Sequence, residues 1–224
     1  MPSEEALNAL YASFYSDESI ASDDTTMISS EVSLEAHADY LARDVLGEGA
    51  RVLDFGAGLG TLVKHLADRG FEVEGVEPSA SAREAVRRQH GFHFHADSHR
   101  LEKGRYDAIA MIEAVEHLAA PWQSLQALGE LLAPGGTLYI TTPNRDGLQA
   151  RLHGVNWREA VAPTHLVLFN FASLSRLLRA CGFSDIRMIR FSPLTTRNLP
   201  KRLLHRLLQA VSLYGGLRVC AKRR

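Results

Sequence analysis

Two acids and a histidine fall within five residues at Glu113, Glu116 and His117, in the string Met111-Ile112-Glu113-Ala114-Val115-Glu116-His117-Leu118. Spacings of three and four place them on one face of a helical turn. The string begins inside the apolar run Tyr106–Ile112. Three chemistries suit such a group. His117, or His165 further along the chain, can take a proton from a hydroxyl, since histidine titrates near neutral pH. Glu113, Glu116, His117 and His165 can together surround a divalent ion, which lowers the pKa of a bound hydroxyl and orients it. Alternatively, Glu113 accepts a hydrogen bond in a cofactor pocket while Glu116 and His117 cap or pair locally. The residues alone leave these three readings open, because only the fold can bring His117 and His165 together.

A second chemical signal is Val52-Leu53-Asp54-Phe55-Gly56-Ala57-Gly58-Leu59-Gly60. A buried strand feeds a tight glycine turn, and the turn feeds a helix whose first N–H groups face outward. A dinucleotide fingerprint requires glycine three residues after Gly58, where this chain has Thr61, and a P-loop requires Gly-Lys-Ser/Thr, which is missing. Glu77 lies 21 residues after Gly56, at the end of the next strand. A carboxylate there can accept both hydroxyls of a ribose lying beyond the strand ends. Pro78 and Ser79 follow it and open a helix, with Ser79 as its N-cap.

A third region, residues 143–170, lacks a clean period and is long for a plain loop, so it is expected to be a functional insertion. Asn144 either bonds a substrate or organises the turn. Trp157 and Arg158 suit a planar or anionic substrate, or Trp157 simply packs the insertion onto the domain.

These residues need elements to hold them. A helix is expected over 31–46, with Leu34, Ala38, Leu41, Val45 and Leu46 on its inner side. Strands follow at 51–55, 72–77, 92–95, 106–112 and 137–142, with helices over about 60–69, from Ser79 onward and over 121–132. A helix capped by Asn170 or Ser173 over 172–180, a strand over 185–191, a basic amphipathic helix over 198–213 and a short strand over 217–221 complete the chain. Alternating strands and helices argue a parallel sheet covered on both faces, with the strand C-terminal ends on one edge.

The chain has 224 residues, 46% hydrophobic and 23% charged, with 25 Lys plus Arg against 26 Asp plus Glu, which excludes a globally basic nucleic-acid binder. Charge is separated along the chain. Residues 1–48 hold eleven acids against Arg43, and residues 145–224 hold fifteen Lys/Arg against three acids. Cys181 and Cys220 are too few for a disulfide scaffold. No apolar run of membrane-spanning length or secretory start is visible, so a cytoplasmic protein is expected. Residues 1–30 are expected to form a helix with Tyr11, Phe14 and Tyr15, followed by a mobile lid-like segment or an ordering contact in a homodimer. Residues 31–224 form the main domain.

The Asp54-x-Gly56-x-Gly58 turn, Glu77, the Ala96-Asp97-Ser98 triplet and the Leu132-x-Pro134-Gly135-Gly136 turn together resemble the class I S-adenosylmethionine-dependent methyltransferases. The resemblance covers roughly residues 31–224. It implies a Rossmann-like α/β three-layer sandwich with a seven-stranded, mostly parallel sheet in the order 3-2-1-4-5-7-6. It implies that Asp54, Gly56, Ala57, Gly58 and Gly60 cradle the methionine part of the cofactor. Glu77 would hold the ribose hydroxyls and Asp97 the adenine amine, with Pro78, Ser98 and Glu113 also in contact with the cofactor. The E-x-x-E-H string is similar to that of the ubiquinone-biosynthesis O-methyltransferases and, more distantly, the small-RNA 3′-end 2′-O-methyltransferases. Both groups place a histidine where His165 falls, which implies Mg2+ or another divalent ion. The resemblance thus implies methyl transfer to a hydroxyl of a small molecule of phenol, catechol, quinone-precursor, sugar or natural-product type. RNA 2′-O-methylation, small-molecule N-methylation and a non-catalytic cofactor-binding assembly role are the alternatives. DNA is not an expected partner. The basic helix over 198–213 suggests weak peripheral contact with anionic lipid.

Overall fold

The structure is a computed structural model in which residues 31–161, 164–190, 207 and 213–224 are described. The expected helix, lid or dimer contact at 1–30 lies outside the described residues, and so does nearly all of the basic helix expected over 198–213. No helix among the described residues is long and apolar enough to cross a membrane.

The described strands are β1 (Arg51–Phe55), β2 (Glu72–Val76), β3 (Tyr106–Ile112), β4 (Leu132–Pro143), β5 (Phe183–Met188) and β6 (Gly216–Arg223). They form one six-stranded sheet in the order β2-β1-β3-β4-β6-β5. The first four run parallel, and β6 is antiparallel to both β4 and β5. This matches the expected order except at one edge, where the expected third strand, over 92–95, does not form among the described residues. Residues 92–95 contribute a single parallel bridge from His95 to Val76. His95 N–H donates to Gly75 O, and Glu77 N–H donates to His95 O. A longer ladder would need more residues with a face to bury. His93 and His95 are exposed, leaving the ring of Phe94 as the anchor. That ring lies so close to Gly75 that a Cβ there would meet it at 2.6 Å.

Helices α1 (Glu31–Asp44) and α2 (Thr61–Ala67) cover one face, α3 (Ala80–His90) follows β2, and α4 (Pro121–Leu131) and α7 (Phe171–Ala180) cover the other face. The strand alternation decides which side chains go where. Ala108 and Ala110 pack with Ala38, Leu41, Leu62 and Leu66, while Ile109 and Met111 pack with Leu125, Leu128, Leu174 and Leu178. Ser79 caps α3 by accepting from Ala82 N–H. Asn170 and Ser173 act together at α7 as a capping box, rather than as alternatives. The start of β4 differs from expectation. It opens at Leu132 and absorbs the Pro134–Gly136 turn as a bulge between the Tyr106 and Ala108 pairings.

The insertion folds as α5 (Leu148–His153), a 3-10 turn (Gly154–Asn156) and α6 (Arg158–Val161), and a bridge between Asn144 and Phe169 closes its base.

Gly75 is required by the Phe94 ring, so Gly75→Ala is expected to destabilise the fold by about 1–3 kcal/mol through overpacking. Urea unfolding should show that loss, and Phe94→Leu in the same chain should recover part of it.

Candidate active site

The strand C-terminal ends of β1, β2, β3 and β4 lie on one edge, and the chemistry-bearing residues gather there. At the end of β1, Gly56, Gly58 and Gly60 all adopt positive φ (83°, 51° and 76°). Gly56 and Ala57 N–H groups donate to Val76 O, which seats the turn on the end of β2. Glu77 then ties the two loops together. Its Oε2 accepts from Gly58 N–H (2.9 Å) and its Oε1 from Ser79 N–H (2.9 Å). A carboxylate has acceptor capacity beyond these two bonds, so Glu77 can still take ribose hydroxyls.

Asp54 and Glu77 are both buried. Burial, reinforced by the neighbouring Glu77 charge, pushes the Asp54 carboxyl up to about 7. Burial also raises Glu77, against the lowering effect of its two backbone bonds. Pro78 is exposed beside them. Asp97 is exposed too, and its Oδ1 accepts His99 N–H (2.9 Å), so it shapes the turn in which Leu101 N–H reaches Ser98 O. The glycine turn, Glu77 and Ser79 are thus brought together, while Asp97 and Ser98 form a separate, more open lip.

At the end of β3, Glu113 takes a positive φ of 50°, and Asp185 is the other non-glycine residue described with one. This turns the chain so that Thr141 Oγ1 donates to Glu113 Oε1 (2.9 Å). A 3-10 turn (Val115–His117) follows, and Glu116 points fully into the protein. Neither Glu116 carboxylate oxygen has a hydrogen-bond partner among the described residues. Desolvation, then the Glu113 charge, holds the Glu116 carboxyl well above its usual range. Desolvation also raises Glu113, but its side chain is exposed by area and more open to solvent screening, so the stronger effect belongs to Glu116.

The backbone of the same turn clamps the segment carrying His165. Leu166 and Val167 N–H groups both donate to Glu116 O (2.9 and 3.2 Å). His117 Nδ1 contacts Thr164 O at 2.9 Å, and His165 Nδ1 contacts Glu159 O at 2.9 Å. A carbonyl only accepts, so in each of these contacts the ring donates from Nδ1–H. The two rings meet edge-on with centroids 4.8 Å apart. Ligand atoms of Glu116, His117 and His165 lie within 4.8 Å of one another. An unsatisfied buried carboxylate beside two oriented imidazoles fits the chemistry of a divalent cation. Glu113 stands outside this group and is engaged by Thr141.

A family model described as a methyltransferase domain matches residues 31–187. The chain belongs to the class I S-adenosylmethionine-dependent methyltransferases. The chain spans about half the length of the first curated relatives it matches. It is 35% identical over 121 residues to the ubiquinone biosynthesis O-methyltransferase of Alkalilimnicola ehrlichii, covering 48% of each chain. The enzyme of the same name from Idiomarina loihiensis is 27% identical over 188 residues, 72% of this chain and 71% of that one. In structure, the methyltransferase resembles a chain of the Haloferax volcanii complex between the Trm112 methyltransferase activator and a methyltransferase. The TM-score is 0.69 at 19% identity, over 95% of this chain and 96% of that one, a likeness of fold.

Two contributors to this methyltransferase's edge were missed in the sequence. Thr141 could have been suspected as a polar residue closing an apolar strand. Glu159 could have been noticed as a rare acid in the basic C-terminal part, six residues before His165. Two substrate candidates take structural roles. Asn144 Nδ2 donates to Tyr214 O and its Oδ1 accepts Asp146 N–H, so it organises the turn. Trp157 is buried and packs the insertion, while Arg158 is exposed.

The raised Asp54 carboxyl has a stability consequence. The folded chain holds a proton between about pH 4 and 7 that the unfolded chain has released, so this contribution is lost as pH rises through that window. His37, depressed to about 3 by burial and by Arg218, acts in the opposite sense. The clean readout is therefore the difference between wild type and Asp54→Asn. Urea midpoints should show the variant gaining relative stability as pH rises from 4.5 to 7.5.

Proposed function

We propose that this protein transfers the methyl group of S-adenosylmethionine to a hydroxyl of a small aromatic acceptor, a phenol, catechol or quinone precursor. The observation that carries this reading is the grouping of ligand atoms of the buried Glu116, His117 and His165 at the edge that also bears the glycine turn and Glu77. The names of the curated relatives, ubiquinone biosynthesis O-methyltransferases, support the acceptor class.

When bound, S-adenosylmethionine supplies an electrophilic methyl group on a sulfonium. The chain's part is to hold its ends. Gly56, Ala57, Gly58 and Gly60 offer backbone against which the methionine portion can lie, with Asp54 beneath. Glu77 accepts the ribose hydroxyls, and Asp97 and Ser98 form the adenine lip. Glu116, His117 and His165, with Glu113 beside them, would hold a divalent ion such as Mg2+. When bound, the ion supplies positive charge that favours the ionised form of an acceptor hydroxyl. His117 and His165 are each oriented by an Nδ1–H bond to a backbone carbonyl. Excluding water and fixing the acceptor in line with the methyl group is the remaining task.

Two measurements test the proposal. Calorimetry should detect S-adenosylhomocysteine binding that Gly58→Arg abolishes, because a side chain at φ 51° strains the turn and a long cation there changes the backbone surface offered to the ligand. Exhaustive chelation should lower turnover of a catechol by at least about tenfold while leaving that binding intact, with Mg2+ restoring the rate. Full turnover in chelator refutes the ion, and unchanged binding in Gly58→Arg refutes the cradle.

A further inference from the structure

The two histidines at the candidate site are not held alike. His117 Nδ1 donates to the Thr164 carbonyl. His165 Nδ1 donates to the Glu159 carbonyl at 2.9 Å, and Oε2 of the same residue stands 3.5 Å from that nitrogen as a charge contact and not a hydrogen bond. Glu159 sits on α6, inside the insertion, and its side chain is only 20% exposed. Arg158 occupies the other carboxylate oxygen, with its Nε and Nη2 at 3.0 and 2.8 Å from Oε1. That grip leaves Oε2 turned toward the imidazole. A carboxylate behind a histidine fixes the tautomer, sets the ring plane and makes the opposite nitrogen a better donor.

We propose that Glu159 is a positioning residue for His165: from the insertion it holds the ring with Nδ1 protonated and Nε2 presented to Glu116 and His117. The proposal deepens the reading of this group as a cation site and rests on it for its functional consequence. The ring geometry itself can be tested without any metal. It also gives the insertion a task beyond covering the pocket, since α6 then completes the site from the substrate side.

The experiment uses the full chain with 15N-labelled histidine. His165 is assigned by the signal lost in His165→Gln. Long-range 15N–1H spectra of the metal-free protein should show the Nδ1–H tautomer for His165 in wild type. In Glu159→Gln a substantial Nε2–H fraction should appear at His165, larger than any change at His117, which feels the Glu159 charge without its carbonyl contact. Glu159→Asp, which keeps the charge with a shorter reach, should lie between the two. In parallel, Co2+ binding followed by visible absorption should weaken by about tenfold in Glu159→Gln, as loss of such a partner does in metal sites. Unchanged His165 nitrogen shifts in Glu159→Gln overturn the proposal. So does Co2+ affinity within twofold of wild type in Glu159→Gln when Glu116→Gln abolishes binding, an outcome that leaves the ion site itself standing. Undiminished Co2+ binding in Glu116→Gln removes the ion site, and the tautomer signal then decides Glu159 by itself.

Discussion

One carboxylate joins the two halves of the cofactor edge. Glu77 accepts N–H groups from Gly58 and from Ser79, one in the turn after β1 and one at the cap of α3. Those N–H groups would otherwise be open ends where two helices begin. The parallel pairing of β1 with β2 brings the two loops side by side, and the bridging carboxylate sets their spacing. Ser79 then caps α3 with its own hydroxyl, so the ligand-facing and structural duties of this corner share one short segment. Burying Glu77 next to Asp54 is unfavourable for two negative charges, and the raised Asp54 carboxyl expresses that tension. A ligand carrying positive charge or hydroxyl donors would relieve it.

The second half of the edge follows the same logic with different partners. Glu116 is fully buried, yet its carboxylate has no hydrogen-bond partner among the described residues, whereas its backbone carbonyl accepts from both Leu166 and Val167. The backbone thus anchors the loop that brings in His165, while the side chain stays available. Buried polar groups are normally satisfied, and this unsatisfied one beside two imidazoles is what the proposed cation site rests on. Thr141 donates to Glu113, whose carboxylate stands close enough to Glu116 for its charge to raise the Glu116 carboxyl further.

Much of this was legible from residue order. The turn after β1, the strand spans of β1 and β3, the cap at Ser79 and the capping residues of α7 follow from local rules of glycine, apolar alternation and side-chain capping. The order of six strands follows from the family resemblance. The outer strand was not legible. Phe92–His95 has strand composition, but pairing needs a surface to bury; His93 and His95 stay exposed, and the Phe94 ring fits between Gly60 and Gly75. The extent of β4 was hidden for the opposite reason. A Pro-Gly-Gly turn reads as a break, and the sheet accommodates it as a bulge.

By itself the sequence determined which side chains were available for chemistry and on which elements they would ride, because glycine conformation, capping and hydrophobic period act over a few residues. Only the tertiary structure decided that His117 and His165, 48 positions apart, stand with their rings 4.8 Å between centroids. It likewise decided that Glu113 faces Thr141 and not the histidines, and that Glu159 backs His165. Those choices depend on strand pairing and on the path of the insertion back to the 3-10 turn. Such contacts arise from long-range packing, which no local spacing encodes.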